Sequence, residues 1–231
     1  MFKNYQKNKA LKYLSKILNI NWLTHDVFQL KIVKPESFIY HIGQAVEITL
    51  GEEKAELRAP FTITSNYESS EEIEFIIKVY PKHNGFTSQL SRAKVNDILF
   101  ISEAWDSFSY EGPGIFIAAG SGITPFVPLL RRLKKQNRID GHQLFFANKK
   151  SRDIILKDEL KYILGNSVLN ILSKESINEF PLRHIDFDFL SEHIRTIDQF
   201  FYLCGPTSFI DSVKRDLIKV GVKEELIQTI Y

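Results

Sequence analysis

The chain has 231 residues, 44% of them hydrophobic and 25% charged, with a formal net charge of +2. That length holds two domains of about 100–130 residues each, and the balance is that of a globular protein with no overall charge bias toward nucleic acid. The single cysteine, Cys204, excludes an intrachain disulfide and a cysteine-held iron–sulfur cluster and points to a reducing, cytoplasmic setting.

The first stretch, MFKNYQKNKALKYLSKIL, carries Lys3, Lys7, Lys9, Lys12 and Lys16. It lacks the apolar core of a secretory signal and reads as a solvated arm. No apolar run in the sequence approaches the roughly 18 residues that span a bilayer. Residues 10–110 are rich in strand signals. Strands are predicted over Val27–Val33, Ala45–Leu50, Phe61–Ser65, Ile73–Val79 and Ile98–Ser102, with a short helix near Thr87–Leu90. Short strands separated by turn-formers predict an antiparallel barrel or sandwich.

After Tyr110–Gly114 the rhythm changes. Strands Ile115–Ala119, Gln143–Ala147, Val168–Leu172, Phe200–Leu203 and Leu226–Ile230 alternate with helices Pro125–Gln136, Ile154–Leu164, Phe189–Ile194 and Thr207–Val220. Continuous apolar strands between amphipathic helices predict a doubly wound parallel α/β sheet. The expected domains are residues 1–111 and 112–231.

Three segments carry chemistry. Ile115–Pro125 (IFIAAGSGITP) is an apolar strand that breaks at Gly120-Ser121-Gly122 before a helix expected to open at Thr124-Pro125. Such a turn suits a phosphate without basic side chains, and it is also a common way to connect a strand to a helix. Arg58-Ala59-Pro60-Phe61-Thr62 places a cation, an aromatic ring and a hydroxyl on one strand entry. Gly85-Phe86-Thr87-Ser88 precedes a short helix and offers a second anion cradle or a plain cap. The histidines show no metal-binding spacing, and no metal site is expected.

Together with His41–Val46 (HIGQAV) and Tyr202-Leu203-Cys204-Gly205-Pro206, these motifs resemble the ferredoxin–NADP reductase superfamily, in particular its compact bacterial flavodoxin/ferredoxin reductase-like members. The resemblance runs from about Leu14 to Tyr231. It implies an N-terminal antiparallel β-barrel that carries FAD and a C-terminal α/β domain that binds NAD(P)H. By position, Arg58, Pro60, Phe61 and Thr62 would meet the flavin, Arg58 at its pyrophosphate and Thr62 beside N5. Gly85, Phe86, Thr87 and Ser88 would hold the FAD diphosphate. Gly120, Ser121, Gly122 and Thr124 would take the nicotinamide dinucleotide's pyrophosphate, and Cys204, Gly205 and Pro206 would lie beside the nicotinamide. Thr62 and Cys204 are the implied catalytic positions, and Tyr231 is a candidate to stack on the flavin. The spacing from Arg58 to Phe61 is one residue longer than the family's R-x-Y-S, and Phe61 replaces its tyrosine.

The implied reaction moves a hydride from NAD(P)H to the flavin and then electrons to a carrier such as flavodoxin or ferredoxin. Reduction of an oxygenase partner, of free flavin or of ferric chelates is the alternative, and a binding module without cofactor is the non-enzymatic one. Asn148, Lys149 and Arg152 follow the second strand of the α/β half, where a 2′-phosphate would sit, so NADPH is the expected nucleotide. Asp153 nearby would suit a free ribose. Lys3–Lys16 with Arg131, Arg132, Lys134 and Lys135 form either a docking surface for an acidic carrier or ordinary solvated faces.

Overall fold

The computed structural model of the protein describes residues 10–51, 57–65, 71–80, 85–177 and 182–230. The backbone falls into two compact units. One runs to Ser109 and takes in Thr124–Leu129; the other holds Tyr110–Ile123 and Leu130 onward.

The first unit is built around β1 (Leu11–Trp22), a 12-residue strand. It pairs antiparallel with β2 (Val27–Val33) on one side and β6 (Ile98–Ser102) on the other. The expectation of a solvated arm is therefore corrected from Leu11 onward; Lys3, Lys7 and Lys9 lie outside the described residues. Leu11, Ser15 and Ile17 are buried, while Lys12 stays outside and meets Glu103 at 2.7 Å. The register shifts between Leu11 and Tyr13 and again between Ile17 and Asn19. From Leu11 to Ile17 the odd positions still turn inward and the even ones outward, and the alternation lapses only at Leu18-Asn19 beside the second shift.

β3 (Gln44–Leu50) pairs with β4 (Arg58–Thr62), with β6 and with the short β7 (Trp105–Asp106), and β5 (Glu72–Lys78) pairs with β2. The strand at β4 begins three residues before the expected Phe61, because Arg58–Thr62 is the stretch that ladders onto β3. The order β4-β3-β6-β1-β2-β5 brings its two ends together. Thr64 N donates to Glu74 O at 2.8 Å, and Thr64 Oγ1 donates to Glu74 Oε1 at 3.0 Å. The sheet is thus a nearly closed antiparallel barrel, which covers most of its edges. Phe28, Leu30, Ile48, Phe75 and Leu99 are fully buried in it, each worth about 1.5–3 kcal/mol over exposure. Phe108 meets Phe126 edge-on at 5.6 Å, which ties Thr124–Leu129 to this unit.

The second unit is a parallel sheet of β8 (Gly114–Ala119), β9 (Gln143–Asn148), β10 (Val168–Leu172), β11 (Phe200–Cys204) and β12 (Ile227–Ile230), in the order β10-β9-β8-β11-β12. The connecting helices are α2 (Val127–Lys135), α3 (Lys157–Leu164), α4 (Phe187–His193) and α5 (Thr207–Val220); α1 (Phe86–Leu90) belongs to the barrel half. On one face, Ile115, Ile117, Phe145, Phe201 and Leu203 bury against Phe189 and Leu190 of α4 and Ile210, Val213 and Leu217 of α5. Arg131 donates to Glu159 through Nε at 2.5 Å and Nη2 at 3.0 Å, and Lys134 lies 5.1 Å over the Tyr162 ring. These two cations are therefore already engaged on α3.

On the other face an aromatic stack joins Tyr202 to Phe116 at 5.0 Å and Phe116 to His142 at 5.9 Å. His142 Nδ1 lies 3.0 Å from the Ile139 carbonyl, so that nitrogen carries the proton and Nε2 accepts from the Tyr110 hydroxyl at 2.8 Å. Burial pushes the His142 imidazolium pKa down, against a partial offset from the Ile139 and Asp140 backbone bonds. The neutral ring is what this arrangement requires.

Candidate cofactor and nucleotide sites

The α/β sheet begins with β8 at its centre, runs outward to β10, and returns to β11 on the other side of β8. Ligands of such sheets bind outside the carboxyl ends of the strands at this reversal. Here those ends are Ala119-Gly120 and Cys204-Gly205, and Ala118 is in register with Cys204. Gly120–Ile123 forms a 3-10 turn, and α2 begins only at Val127. This corrects the expected helix start at Thr124-Pro125. Thr124 falls in the turn after the 3-10 segment and groups with the first unit rather than with Gly120–Gly122.

Each glycine at the reversal has its own reason. Gly120 sits at φ +53° with open space where a Cβ would point. A Cβ on Gly122 would lie 2.3 Å from the Cys204 carbonyl oxygen, and one on Gly205 would lie 2.9 Å from the Phe209 ring and 3.0 Å from Ala119 Cβ. The bare backbone at Gly120 admits a close-approaching pyrophosphate, while Gly122 lets the two strand ends meet. α5 opens directly after Pro206 with no acidic residue in its first turn, so its positive end is uncompensated at the same crevice. At the end of β9, Asn148 is buried and its Nδ2 has no hydrogen-bond partner among the described residues. A buried amide left unpaired by the protein suits a ligand acceptor. These features fit a dinucleotide.

Cys204 is half-buried, but its sulfur is enclosed: burial pushes the thiol up to about 12, against a weaker opposing hydrogen bond from the Gly205 amide. At pH 8 it is a thiol, not a nucleophile. Alkylation of Cys204 by iodoacetamide in the folded protein is expected to run on the order of 1000-fold slower than for a free thiol. A rate near that of free cysteine contradicts this enclosure.

Beyond β9, Lys149 and Lys150 are exposed, and Ser151–Asp153 forms a 3-10 turn. The Lys150 amide donates to Asp153 Oδ2 at 3.0 Å, and the Ser151 amide donates to Glu175 Oε2 at 2.6 Å. Glu175 lies 24 positions from Ser151, and no sequence signal pointed to it.

In the barrel, Phe61 and Phe86 stand with ring centroids 6.1 Å apart, so β4 and the Gly85–Ser88 segment are side by side. Thr62 is buried opposite Ala45, and Pro60 lies opposite Glu47. Arg58 and Phe61 point to opposite faces of β4, as their odd spacing requires. The Arg58 guanidinium lies 3.7 Å from the carboxylate of the fully buried Glu47. Gly85 takes both the Ser88 and Gln89 amides on its carbonyl. Ser88 is buried and accepts from Arg92 Nη2 at 3.2 Å; Arg92 adds a cation beside this segment that sequence reading missed. The half-buried ring of Phe61 beside Gly85–Ser88 and the Arg92 cation fit a flavin with its diphosphate, while Arg58 lies on the opposite face of β4 beside Glu47. Tyr231 lies outside the described residues. Among the described residues no group of three or more His, Cys, Asp or Glu could hold a metal, and no helix is long and apolar enough to cross a membrane.

A barrel followed by a sheet of this strand order is the two-domain architecture found in flavin- and nicotinamide-nucleotide-binding oxidoreductases. Residues 12–113 match the FAD-binding domain family and residues 116–215 match the oxidoreductase NAD-binding domain family. The chain belongs to the ferredoxin–NADP reductase superfamily. It is 20% identical over 215 residues to the electron transfer component of xylene/toluene monooxygenase from Pseudomonas putida, covering 89% of this chain and 61% of that protein. It is 24% identical over 259 residues to NADH-cytochrome b5 reductase 1 of Rattus norvegicus, covering 93% and 84%. Its fold matches the FAD/NAD-binding domain of nitric oxide dioxygenase from Vibrio cholerae with a TM-score of 0.81 at 22% identity, covering 94% of this chain and 96% of that one.

Proposed function

We propose that this protein takes a hydride from NAD(P)H onto FAD and passes the electrons to a small carrier protein such as flavodoxin or ferredoxin. The observation that carries this reading is the meeting of Gly120–Gly122 with Cys204-Gly205 at the reversal of the α/β sheet, in a chain whose other half is a FAD-binding barrel domain. Bound FAD supplies the change from two-electron to one-electron transfer.

The chain's own residues bind and orient. Phe61 offers a ring face to the flavin, and Thr62 a hydroxyl near its N5. Gly85–Ser88 with Arg92 hold the diphosphate. Arg58, on the other face of β4, serves as counter-ion to Glu47. Gly120–Gly122 with Ser121 receive the nucleotide pyrophosphate. Cys204, Gly205 and Pro206 position the nicotinamide by shape, since the enclosed thiol is protonated.

A second reading keeps the chemistry and changes the acceptor. The likeness to an electron transfer component of a monooxygenase favours an oxygenase partner. The chain spans 61% of that relative's length, so the relay to any such partner is a separate question. The purified chain is expected to bind FAD and turn yellow, and acceptor reduction is expected to fall steeply with salt if an acidic carrier docks. A colourless chain that refuses FAD overturns the enzyme reading in favour of a binding module.

A further inference from the structure

We propose that Glu175 sets the nucleotide preference: it occupies the turn after β9 against a 2′-phosphate and makes NADH, not NADPH, the reductant. This rests on the reading of the α/β unit as the nucleotide-binding domain.

In sheets of this order the adenosine ribose lies at the carboxyl end of the second strand, where a cation accommodates a 2′-phosphate and a carboxylate takes a free 2′-hydroxyl. Lys149, Lys150 and Arg152 make the segment look like a phosphate site. The backbone donors of the turn are nevertheless in use. Asp153 holds the Lys150 amide at 3.0 Å, and Glu175 holds the Ser151 amide at 2.6 Å.

Glu175 is not a stray surface carboxylate. The two residues before it are laddered onto the segment after β9: Ser173 N donates to Asn148 O and Lys174 N to Lys149 O, both at 2.9 Å. That ladder delivers the carboxylate to the turn. The Ser151 amide and then its hydroxyl hold the Glu175 carboxyl below its ordinary pKa against the opposing effect of burial, with smaller help from Lys150 and Arg152. The acid is thus ionised wherever the nucleotide binds. A ribose hydroxyl can donate to that carboxylate. A 2′-phosphate has about −1.5 to −2 charge and only acceptors to offer, so it must displace Glu175 or sit against it.

The test is calorimetric titration of the purified full chain with 5′-AMP and with adenosine 2′,5′-bisphosphate. It compares the natural protein, Glu175→Gln, and Glu192→Gln, a carboxylate paired with Arg183. The natural protein is expected to bind 5′-AMP at least tenfold more tightly than the bisphosphate. Glu175→Gln is expected to narrow that ratio at least tenfold, with Glu192→Gln unchanged. Tighter binding of the bisphosphate by the natural protein, or a ratio that Glu175→Gln leaves unmoved, overturns the role of Glu175 alone. A folded chain that binds neither fragment overturns the nucleotide-domain reading, and this proposal with it.

Discussion

Gly122→Ala is expected to cut nucleotide-driven flavin reduction on the order of 100-fold while the barrel keeps its flavin. The added Cβ would stand 2.3 Å from the Cys204 carbonyl oxygen, 2.5 Å from its carbon and 2.8 Å from the Gly205 amide nitrogen. All three are backbone atoms, so no side chain can swing away. The end of β11 must retreat by about 1 Å, and a misplacement of that size at a reacting centre costs about 100-fold. Overpacking of this kind also destabilises by about 1–3 kcal/mol. Gly51→Ala is the matched control, because Gly51 sits at φ +86° with open space around the new Cβ and lies at a barrel turn. It should lose about 1–2 kcal/mol to backbone strain and keep its reduction rate. Equal reduction rates for Gly122→Ala and the natural protein contradict the role assigned to this contact.

Tyr202→Phe is expected to destabilise the α/β unit by about 2–4 kcal/mol without changing core volume. Tyr202 is fully buried. Its hydroxyl donates to Gly112 O at 2.8 Å and accepts from the Glu111 and Gly112 amides at 3.1 and 3.0 Å. One oxygen thus satisfies three backbone groups of the segment that enters β8. Phenylalanine keeps the stack on Phe116 and leaves all three without that partner. Burial pushes the Tyr202 phenol up to about 12, with the two amides working against the shift, so this lock stays protonated through the physiological range. Urea unfolding followed through the α/β unit reads the effect, and a loss below about 0.5 kcal/mol would mean that other groups take over these bonds.

Much of the α/β half was legible because its strands are buried on both faces. Val168–Leu172 and Thr207–Val220 coincide with β10 and α5, and Ile115–Ala119 and Phe200–Leu203 each miss one residue. An unbroken apolar run leaves little choice of register or length. β1 was missed for the opposite reason. Lys12 and Lys16 alternate with the buried Leu11, Ser15 and Ile17 on its outer face, and with Lys3, Lys7 and Lys9 ahead of them the segment looks like a basic arm. The start of α2 moved because Gly120–Ile123 closes a 3-10 turn of its own, which its residues do not distinguish from the first turn of a longer helix.

Within the sites, residues bound to a local turn were readable and those delivered from afar were not. Gly120, Gly122 and Gly205 announce themselves by spacing after strands. Glu175 reaches Ser151 from the end of β10 to the end of β9, and Glu47 meets Arg58 across the β3–β4 ladder. Both pairings exist only once the sheets form. They also change the meaning of the local signal: the basic turn at Lys149–Arg152 holds two carboxylates, and the candidate flavin-binding Arg58 is partnered inside the barrel.

Hydride transfer from a nicotinamide nucleotide to a flavin is the reaction this chain is expected to carry out. Anaerobic stopped-flow mixing of the FAD-loaded protein with NADH and, separately, with NADPH measures it directly. The bound flavin is expected to bleach, faster with NADH than with NADPH. A bound flavin that stays oxidised in the presence of either nucleotide would contradict it.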